Sequence, residues 1–265
     1  MSEMNPYQPP APLPGEATAE PAGAGAGQFS ATGRSLDAGR GWTWIAAAFG
    51  LFMKQPGLWV LLFIIYFACS IVLGLIPLLG GIANMLLYPV FGAGFMAMCR
   101  TLDNGGSAEV ATLFTGFKEK TSDLMVLGML VLAGIVVMVV PAVLIAGGAG
   151  VVAALKGGTA AVMALGMSVV LVLVLLVMLA VSIPLYMALW FAAPLVLFHG
   201  LKPGAALKAS FFGCLKNMLP FLLYSIVALV LCVVAVIPFG LGYLVLVPVL
   251  IASVYTAYRD IYFTA

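Results

Sequence analysis

The chain has 265 residues, 64% of them hydrophobic and 8% Asp, Glu, Lys or Arg, with a formal net charge of +2. Soluble domains carry about 25% charged residues, so this composition excludes an ordinary water-facing surface, and the mean hydropathy of +1.21 agrees. So small a net charge on so apolar a chain also argues against nucleic-acid binding.

In chain order, residues 1–40 come first and are rich in Pro, Ala, Gly and Glu. They hold too little apolar surface to fold alone and lack the apolar core of a secretory signal. They are expected to form a disordered cytoplasmic tail. Pro9-Pro10 and Pro12 favour an extended, polyproline-like conformation there, suited to docking a protein partner. The membrane domain follows at 41–265. Its apolar runs fall at 58–79, 82–100, 124–147, 162–198, 218–238 and 241–258. A hydrocarbon core about 30 Å thick takes roughly 20 helical residues to cross. Continuous runs of that length predict helices, because a barrel would show alternating segments of about ten residues. The fold class expected is therefore an all-α membrane protein with six transmembrane helices, the first acting as its own insertion signal. Gly80-Gly81 and Phe239-Gly240 are expected at tight turns, and Gly147-Gly148 and Gly157-Gly158 at the ends of a longer connection.

The run 162–198 is ambiguous. As one helix it would reach about 55 Å at roughly 1.5 Å per residue; as two spans it would turn at Pro184. The basic residues choose between them. Six spans put Arg34, Arg40, Lys54, Arg100, Lys118, Lys120, Lys202, Lys208, Lys216 and Arg259 on one face and Lys156 on the other. Loops rich in Lys and Arg stay in the cytoplasm, which places both termini there. Two spans within 162–198 would strand Lys202, Lys208 and Lys216 outside. One long helix, kinked near Pro184 and projecting or tilted, is the expectation.

A threefold internal repeat runs through the domain, at about 42–103, 107–200 and 203–262. Each unit opens with an apolar stripe at helical spacing that ends in lysine: Ile45, Phe49, Phe52 and Met53 before Lys54; Val110, Leu113, Phe114 and Phe117 before Lys118; Leu207, Phe211, Cys214 and Leu215 before Lys216. Such a helix lies along a membrane surface. Pro77, Pro141 and Pro238 follow these lysines by 23, 23 and 22 residues. The second span of each unit carries a further proline: Pro89, Pro184 and Pro248. Arg100 and Arg259 close the first and last units; the middle one reaches His199 instead. The unit is an interfacial amphipathic helix followed by a two-span hairpin, and three in one orientation predict a pseudo-threefold axis along the membrane normal.

Phe191-Ala-Ala-Pro194-Leu-Val, Gly200, Ala206-Leu-Lys-Ala-Ser210 and Asn217 together resemble a motif of uncharacterised bacterial multi-pass inner-membrane protein families. These are similar to the membrane domain attached to some glycerophosphodiester phosphodiesterases. Asn5-Pro-Tyr-Gln-Pro-Pro10 resembles the start of many such proteins. The resemblance covers about residues 40–260 in organisation and implies a bacterial inner-membrane location. With no catalytic domain attached, it carries over no phosphodiesterase activity.

Little in the chain points to bond chemistry. Acid–base or metal catalysis needs converging His, Asp, Glu or Cys groups, and the single histidine, His199, sits where the fourth span ends. Cys69, Cys99, Cys214 and Cys232 are scattered, with no C-x-x-C pair, so they are read as packing residues. No catalytic, metal or cofactor site is expected. No ionisable residue falls at mid-membrane, where proton relays show. Asn84, Ser70, Ser168, Ser182, Ser225 and Ser253 are read as helix-to-helix hydrogen bonders. Tyr66, Tyr88, Tyr186 and Tyr224 are read as packing or interfacial anchors, with a pocket lining as the alternative. Small residues spaced by four (Ser70 and Gly74; Ala142, Ala146 and Gly150; Ala188 and Ala192) allow close helix approach, and a homo-oligomer with it. Pro89, Pro184 and Pro248 are candidate kinks around a central cavity. Lys54, Arg100, Lys118, Lys208, Lys216 and Arg259 are candidate contacts for lipid head groups. The leading functional expectation is a non-enzymatic organising or accessory protein, its partners the bilayer and a protein bound through the tail. The alternative is a carrier or flippase-like protein for lipids or other apolar molecules.

Overall fold

The computed structural model describes residues 27–155 and 160–264. Residues 1–26, with the proline-rich stretch, and Lys156 and Gly157-Gly158 lie outside the described residues. What is described is helical, apart from one isolated antiparallel bridge between Phe29 and Phe263. Six helical stretches are long and apolar enough to cross a membrane: Pro56–Gly74, Leu79–Asp103, Thr121–Ile145, Val169–His199, Met218–Val236 and Tyr243–Tyr262.

They pair into three hairpins, each preceded by a short surface element. α1 (Arg40–Lys54) leads into α2 (Pro56–Gly74) and α3 (Leu79–Asp103). A 3-10 turn (Val110–Phe114) and α4 (Thr115–Lys118) lead into α5 (Thr121–Leu155) and α6 (Ala160–Trp190), which α7 (Ala192–His199) extends. α8 (Pro203–Lys216) leads into α9 (Met218–Val236) and α10 (Tyr243–Tyr262). Pro56 and Pro203 each stand in the first turn of their helix, where a missing N–H costs nothing. The surface elements, residues 27–39 and the end of α10 share one end of the bundle, the basic end; the turns after α2 and α9 lie at the other.

Docking of the surface elements is cyclic. α1 packs mainly on α10, the 3-10 turn and α4 on α3, and α8 on α6 and α7. Each therefore sits on the second helix of another hairpin. The stripes read from sequence split accordingly. In α1, Ile45 and Phe52 are buried with Trp44, Ala48 and Leu51, while Phe49 and Met53 face outward. The core gathers at the basic end, with α3 and α10 innermost; the described side chains of α5 beyond Gly128 and of α6 are exposed or half-buried.

Three sequence expectations need correction. Gly80-Gly81 is not the first turn. That turn is Leu75 to Leu78, where Leu78 takes φ 62° and the Leu79 N–H reaches the Pro77 carbonyl at 2.7 Å. Gly80 serves a close helix approach instead, since a Cβ there would lie 1.7 Å from the Leu73 oxygen. The third hairpin does turn at Phe239-Gly240, both at positive φ (54° and 81°). Second, α5 does not stop at Gly147-Gly148 but runs through it to Leu155; with no water to satisfy freed backbone groups in lipid, glycine does not end a helix as it does in water.

Third, the long fourth helix is unbroken through Pro184 and ends at Trp190; the break is at Phe191. Pro194 has no N–H to give the Trp190 carbonyl, four residues back. The neighbouring ladder bond is replaced by a side chain. The Phe191 N–H donates to Ser210 Oγ (2.9 Å), and the Ser210 hydroxyl donates to the Met187 carbonyl (2.7 Å). An inserted hydroxyl of this kind is a recognised cause of a helix break. The joint also explains the loose motif. Phe191, Pro194 and Ser210 form the break, Gly200 caps α7 in the left-handed region, and the buried Asn217 side chain bonds the Leu36 N–H and the Arg34 and Gly213 carbonyls. Ser210→Ala leaves the buried Phe191 N–H unpaired and the Met187 carbonyl with only the weak Cys214 thiol donor at 3.4 Å, and is expected to cost about 1–3 kcal/mol. Thermal unfolding in detergent checks this, with Ser210→Thr, which keeps the hydroxyl, as the milder variant.

Candidate functional site

Between the first and second hairpins lies a cavity of about 760 Å³. α2, α3, α5, α6, α7 and α10 all contribute to its wall. Most of the wall is apolar, including Met85, Phe91, Phe95, Met96, Leu127, Ile135, Met138, Leu189 and Trp190. Its polar groups are few: Tyr66 and Ser70 from α2, Asn84 and Tyr88 from α3, Ser182 and Tyr186 from α6. A large apolar pocket with a few converging polar groups is the usual form of a small-molecule site. Asn84 Nδ2 donates to the Ser70 carbonyl (3.0 Å) and the Ser182 hydroxyl to the Leu179 carbonyl (2.9 Å), so both are held in place by backbone.

The tyrosines divide into two sets. Tyr224 bonds Ser253 (2.9 Å) and packs against Trp190 and Phe221. Tyr66, Tyr88 and Tyr186 instead line the cavity, with Tyr88 and Tyr186 largely exposed at its open side, and among the described residues their hydroxyls have no hydrogen-bond partner, unlike those of Tyr224, Tyr243, Tyr255, Tyr258 and Tyr262. Sequence reading named all four but could not separate them, because an apolar helix carries no marker of which face meets a void.

Of the three kink prolines, Pro89 lines the cavity. Pro248 is buried elsewhere in the core, and Pro184 faces outward. The three do not ring one void. Pro194, at the break below α6, is the second proline of the wall.

The basic end carries a charge knot that the sequence did not reveal. Asp260, near the end of α10, is buried. Its Oδ1 accepts from Arg34 Nη2 (2.9 Å) and Arg40 Nη2 (2.6 Å), and its Oδ2 from Arg40 Nε (2.6 Å) and Trp44 Nε1 (2.8 Å). The bond to Asp260 holds the Arg40 guanidinium above its ordinary pKa, against desolvation. The segment assigned to the tail is therefore not free over residues 27–39. Ser30 and Arg34 donate backbone N–H groups to the Tyr262 and Ile261 carbonyls, at 2.8 and 2.9 Å. Phe29 stacks on His199 with ring centroids 3.4 Å apart. His199 Nε2 meets the Tyr258 hydroxyl at 2.5 Å, so this histidine is boxed in by aromatic rings.

Four of the six candidate head-group residues are engaged with protein. Lys54 Nζ caps the Leu102 carbonyl (2.6 Å), and Lys216 Nζ donates to the Thr32 carbonyl (2.9 Å). Arg100 lies over the Phe198 ring (5.0 Å), and Arg259 over Phe263 (4.8 Å) and 3.8 Å from Asp103. Lys118 and Lys208 are exposed. Among the described residues no three His, Cys, Asp or Glu lie close enough to share a metal ion. The cysteines are unpaired, and burial pushes the Cys214 thiol up to about 12. Only the thiolate attacks a maleimide, so at pH 7.5 Cys214 is expected to stay unlabelled in folded protein and to react in denaturant. Mass spectrometry of the labelled peptides reads both.

Compared with known proteins, the chain is 27% identical over 202 residues to a probable inner membrane protein of Burkholderia thailandensis, covering 72% of this chain and 73% of that one. This chain is a multi-pass membrane protein, similar to one described as a probable inner membrane protein. Neither the likeness nor the six apolar helices assigns an activity. No family model matches, and no solved structure matches.

Proposed function

We propose that this is a non-enzymatic accessory protein of the inner membrane that holds an amphipathic small molecule in the cavity between its first and second hairpins. The observation that carries the reading is the cavity itself: about 760 Å³ of mostly apolar wall, with three tyrosines in its lining whose hydroxyls have no hydrogen-bond partner among the described residues. Nothing in the wall is a nucleophile paired with a base, as bond-making chemistry would need. The likeness to membrane domains attached to phosphodiesterases concerns organisation. The residues that carry it build the α6–α7 break and hold no reacting group.

The wider frame belongs to the same proposal. Cyclic docking of the three surface elements supports a threefold repeat about an axis along the membrane normal. So does the matching turn chemistry of hairpins one and three, where a residue at positive φ follows Pro77 and Pro238. The basic end is read as cytoplasmic from its lysines and arginines. Cysteines placed beside Lys118 and Lys208 should then resist membrane-impermeant maleimides on intact cells; labelling would reverse the orientation. Residues 1–26 remain the candidate docking arm, and a pull-down unchanged by their removal would eliminate that role.

Gly92→Leu tests the cavity. Gly92 lines it, and a Cβ there meets only Ala193 Cβ at 4.0 Å, so a side chain fills the void without moving backbone. Wild-type protein purified in mild detergent should carry an apolar species that is depleted from the Gly92→Leu protein, read by mass spectrometry of organic extracts. Identical extracts would end the proposal. Flipping of labelled lipids in vesicles should not exceed protein-free controls; rates above control would favour a carrier.

A further inference from the structure

We infer that the cavity selects an uncharged, oxygen-bearing ring on an apolar tail, the chemistry of an isoprenoid quinone, with its carbonyl oxygens accepting from the Tyr66, Tyr88 and Tyr186 hydroxyls. The inference rests on the reading of the cavity as a binding site and names what that site accepts.

Charge is the first selector. Among the described residues the wall contains no Asp, Glu, Lys, Arg or His. A phosphate or ammonium head group taken into it would be buried unpaired, which costs several kcal/mol per ion. Depth is the second. Tyr66 lies ten residues along α2 and Tyr88 nine along α3, each about 15 Å from a helix end at roughly 1.5 Å per residue. In a core about 30 Å thick, that puts the hydroxyls near mid-bilayer. Phospholipid head groups stay at the surface; a neutral ring can reach the middle.

Hydrogen-bonding sense is the third selector. Each phenol has a proton to give. Three phenols on three helices that line one space, without a hydrogen-bond partner among the described residues, suit a ligand rich in acceptors. Shape is the fourth. Phe91, Phe95 and Trp190 share the wall with the tyrosines, and aromatic faces pack against a flat ring by offset stacking or edge contact. An acylglycerol would offer ester carbonyls to the same hydroxyls but no ring, so the experiment separates the two sources of carbonyl oxygen.

Full-length protein in detergent is titrated with decylubiquinone, and quenching of Trp190 is taken as the difference between wild type and Trp190→Phe. Dioleoylglycerol and dioleoylphosphatidylglycerol are then added as competitors. Saturable quenching is expected. It should weaken about tenfold or more in the shape-preserving double variant Tyr88→Phe, Tyr186→Phe, vanish in Gly92→Leu, and resist both competitors. Displacement by phosphatidylglycerol would overturn the neutral-head inference, and displacement by dioleoylglycerol at equal concentration would overturn the ring; the cavity would stand as a binding site in either case. Undiminished affinity in the double variant would overturn the role of the hydroxyls. No saturable quenching, or quenching unchanged in Gly92→Leu, would remove the inference, and unaltered organic extracts from that variant would remove the underlying reading as well.

Discussion

Replacing Asp260 by Ala is expected to cost about 3 kcal/mol and to release the N-terminal segment from the bundle. The carboxylate is the single acceptor at the meeting of three parts of the chain: the segment bearing Arg34, the start of α1 with Arg40 and Trp44, and the end of α10. Removing one partner of a buried pair usually costs about 3–5 kcal/mol, because the other charge is left unpaired. The low end applies here, since Arg34 and Arg40 are 39% and 46% exposed and can regain water. The Trp44 N–H cannot, because the residue is 2% exposed. The reciprocal change is milder. Arg34→Ala leaves Asp260 with its two-pronged bond to Arg40 and with Trp44, and is expected to cost about 1 kcal/mol or less, as exposed pairs do. Thermal unfolding in detergent measures both, and limited proteolysis around residues 27–39 reads the released segment. Equal losses from the two variants, or an Asp260→Ala protein still protected there, would show that the knot does not tie the termini.

That knot shows where the sequence stops being legible. The six spans are readable because a hydrocarbon slab demands long apolar runs; the run at 218–238 overlaps α9 almost residue for residue, while that at 58–79 covers most of α2 and overruns it through the Leu75–Leu78 turn. Asp260 is not readable. A lone acid two residues beyond a predicted span looks like a solvated exit, and the partners that bury it are Arg34, Arg40 and Trp44, more than 200 positions away. Residues 27–39 carry no periodicity to mark them as packed; what captures them is the backbone of Tyr262 and Ile261, which no side-chain pattern announces. Glycine misleads in a systematic way. Gly80-Gly81 and Gly147-Gly148 look like turns by the rules of water, yet inside lipid glycine lets helices approach or simply continues one. Proline misleads by position: Pro184 sits within an intact helix, while the break belongs to Pro194 because Ser210, from the next unit, is there to take over the ladder. The cavity was half legible. Tyr66, Tyr88 and Tyr186 stand out as polar residues in apolar runs, but their convergence depends on how the first two hairpins lean together.

Gly94→Leu is expected to block folding, and it tests how the middle surface element docks. A Cβ at Gly94 would lie 1.9 Å from the Leu113 carbonyl oxygen and 2.9 Å from the Leu113 Cα. The contact is reciprocal, since a Cβ at Gly116 would lie 2.2 Å from the Val90 oxygen. Here α3 and the element carrying Leu113 and Gly116 touch backbone to backbone, so no rotamer change relieves an added atom. Overpacking a core costs about 1–3 kcal/mol where side chains can shift; with backbone on both sides, even Gly94→Ala should reach the top of that range. Gly213 is the graded comparison. Its intruding neighbour is the Tyr262 hydroxyl, at the far end of a side chain, so Gly213→Ala should cost less than Gly94→Ala. Gly92→Ala, two residues before Gly94 on the same helix, faces open space and should stay within about 0.5 kcal/mol of wild type. The ordering Gly94, Gly213, Gly92 in loss of melting temperature follows from three distances and owes nothing to composition, since all three changes add the same methyl group. If Gly94→Ala melted with Gly92→Ala, the surface element could not be seated on α3 as described, and the cyclic docking that supports the threefold repeat would lose its middle link.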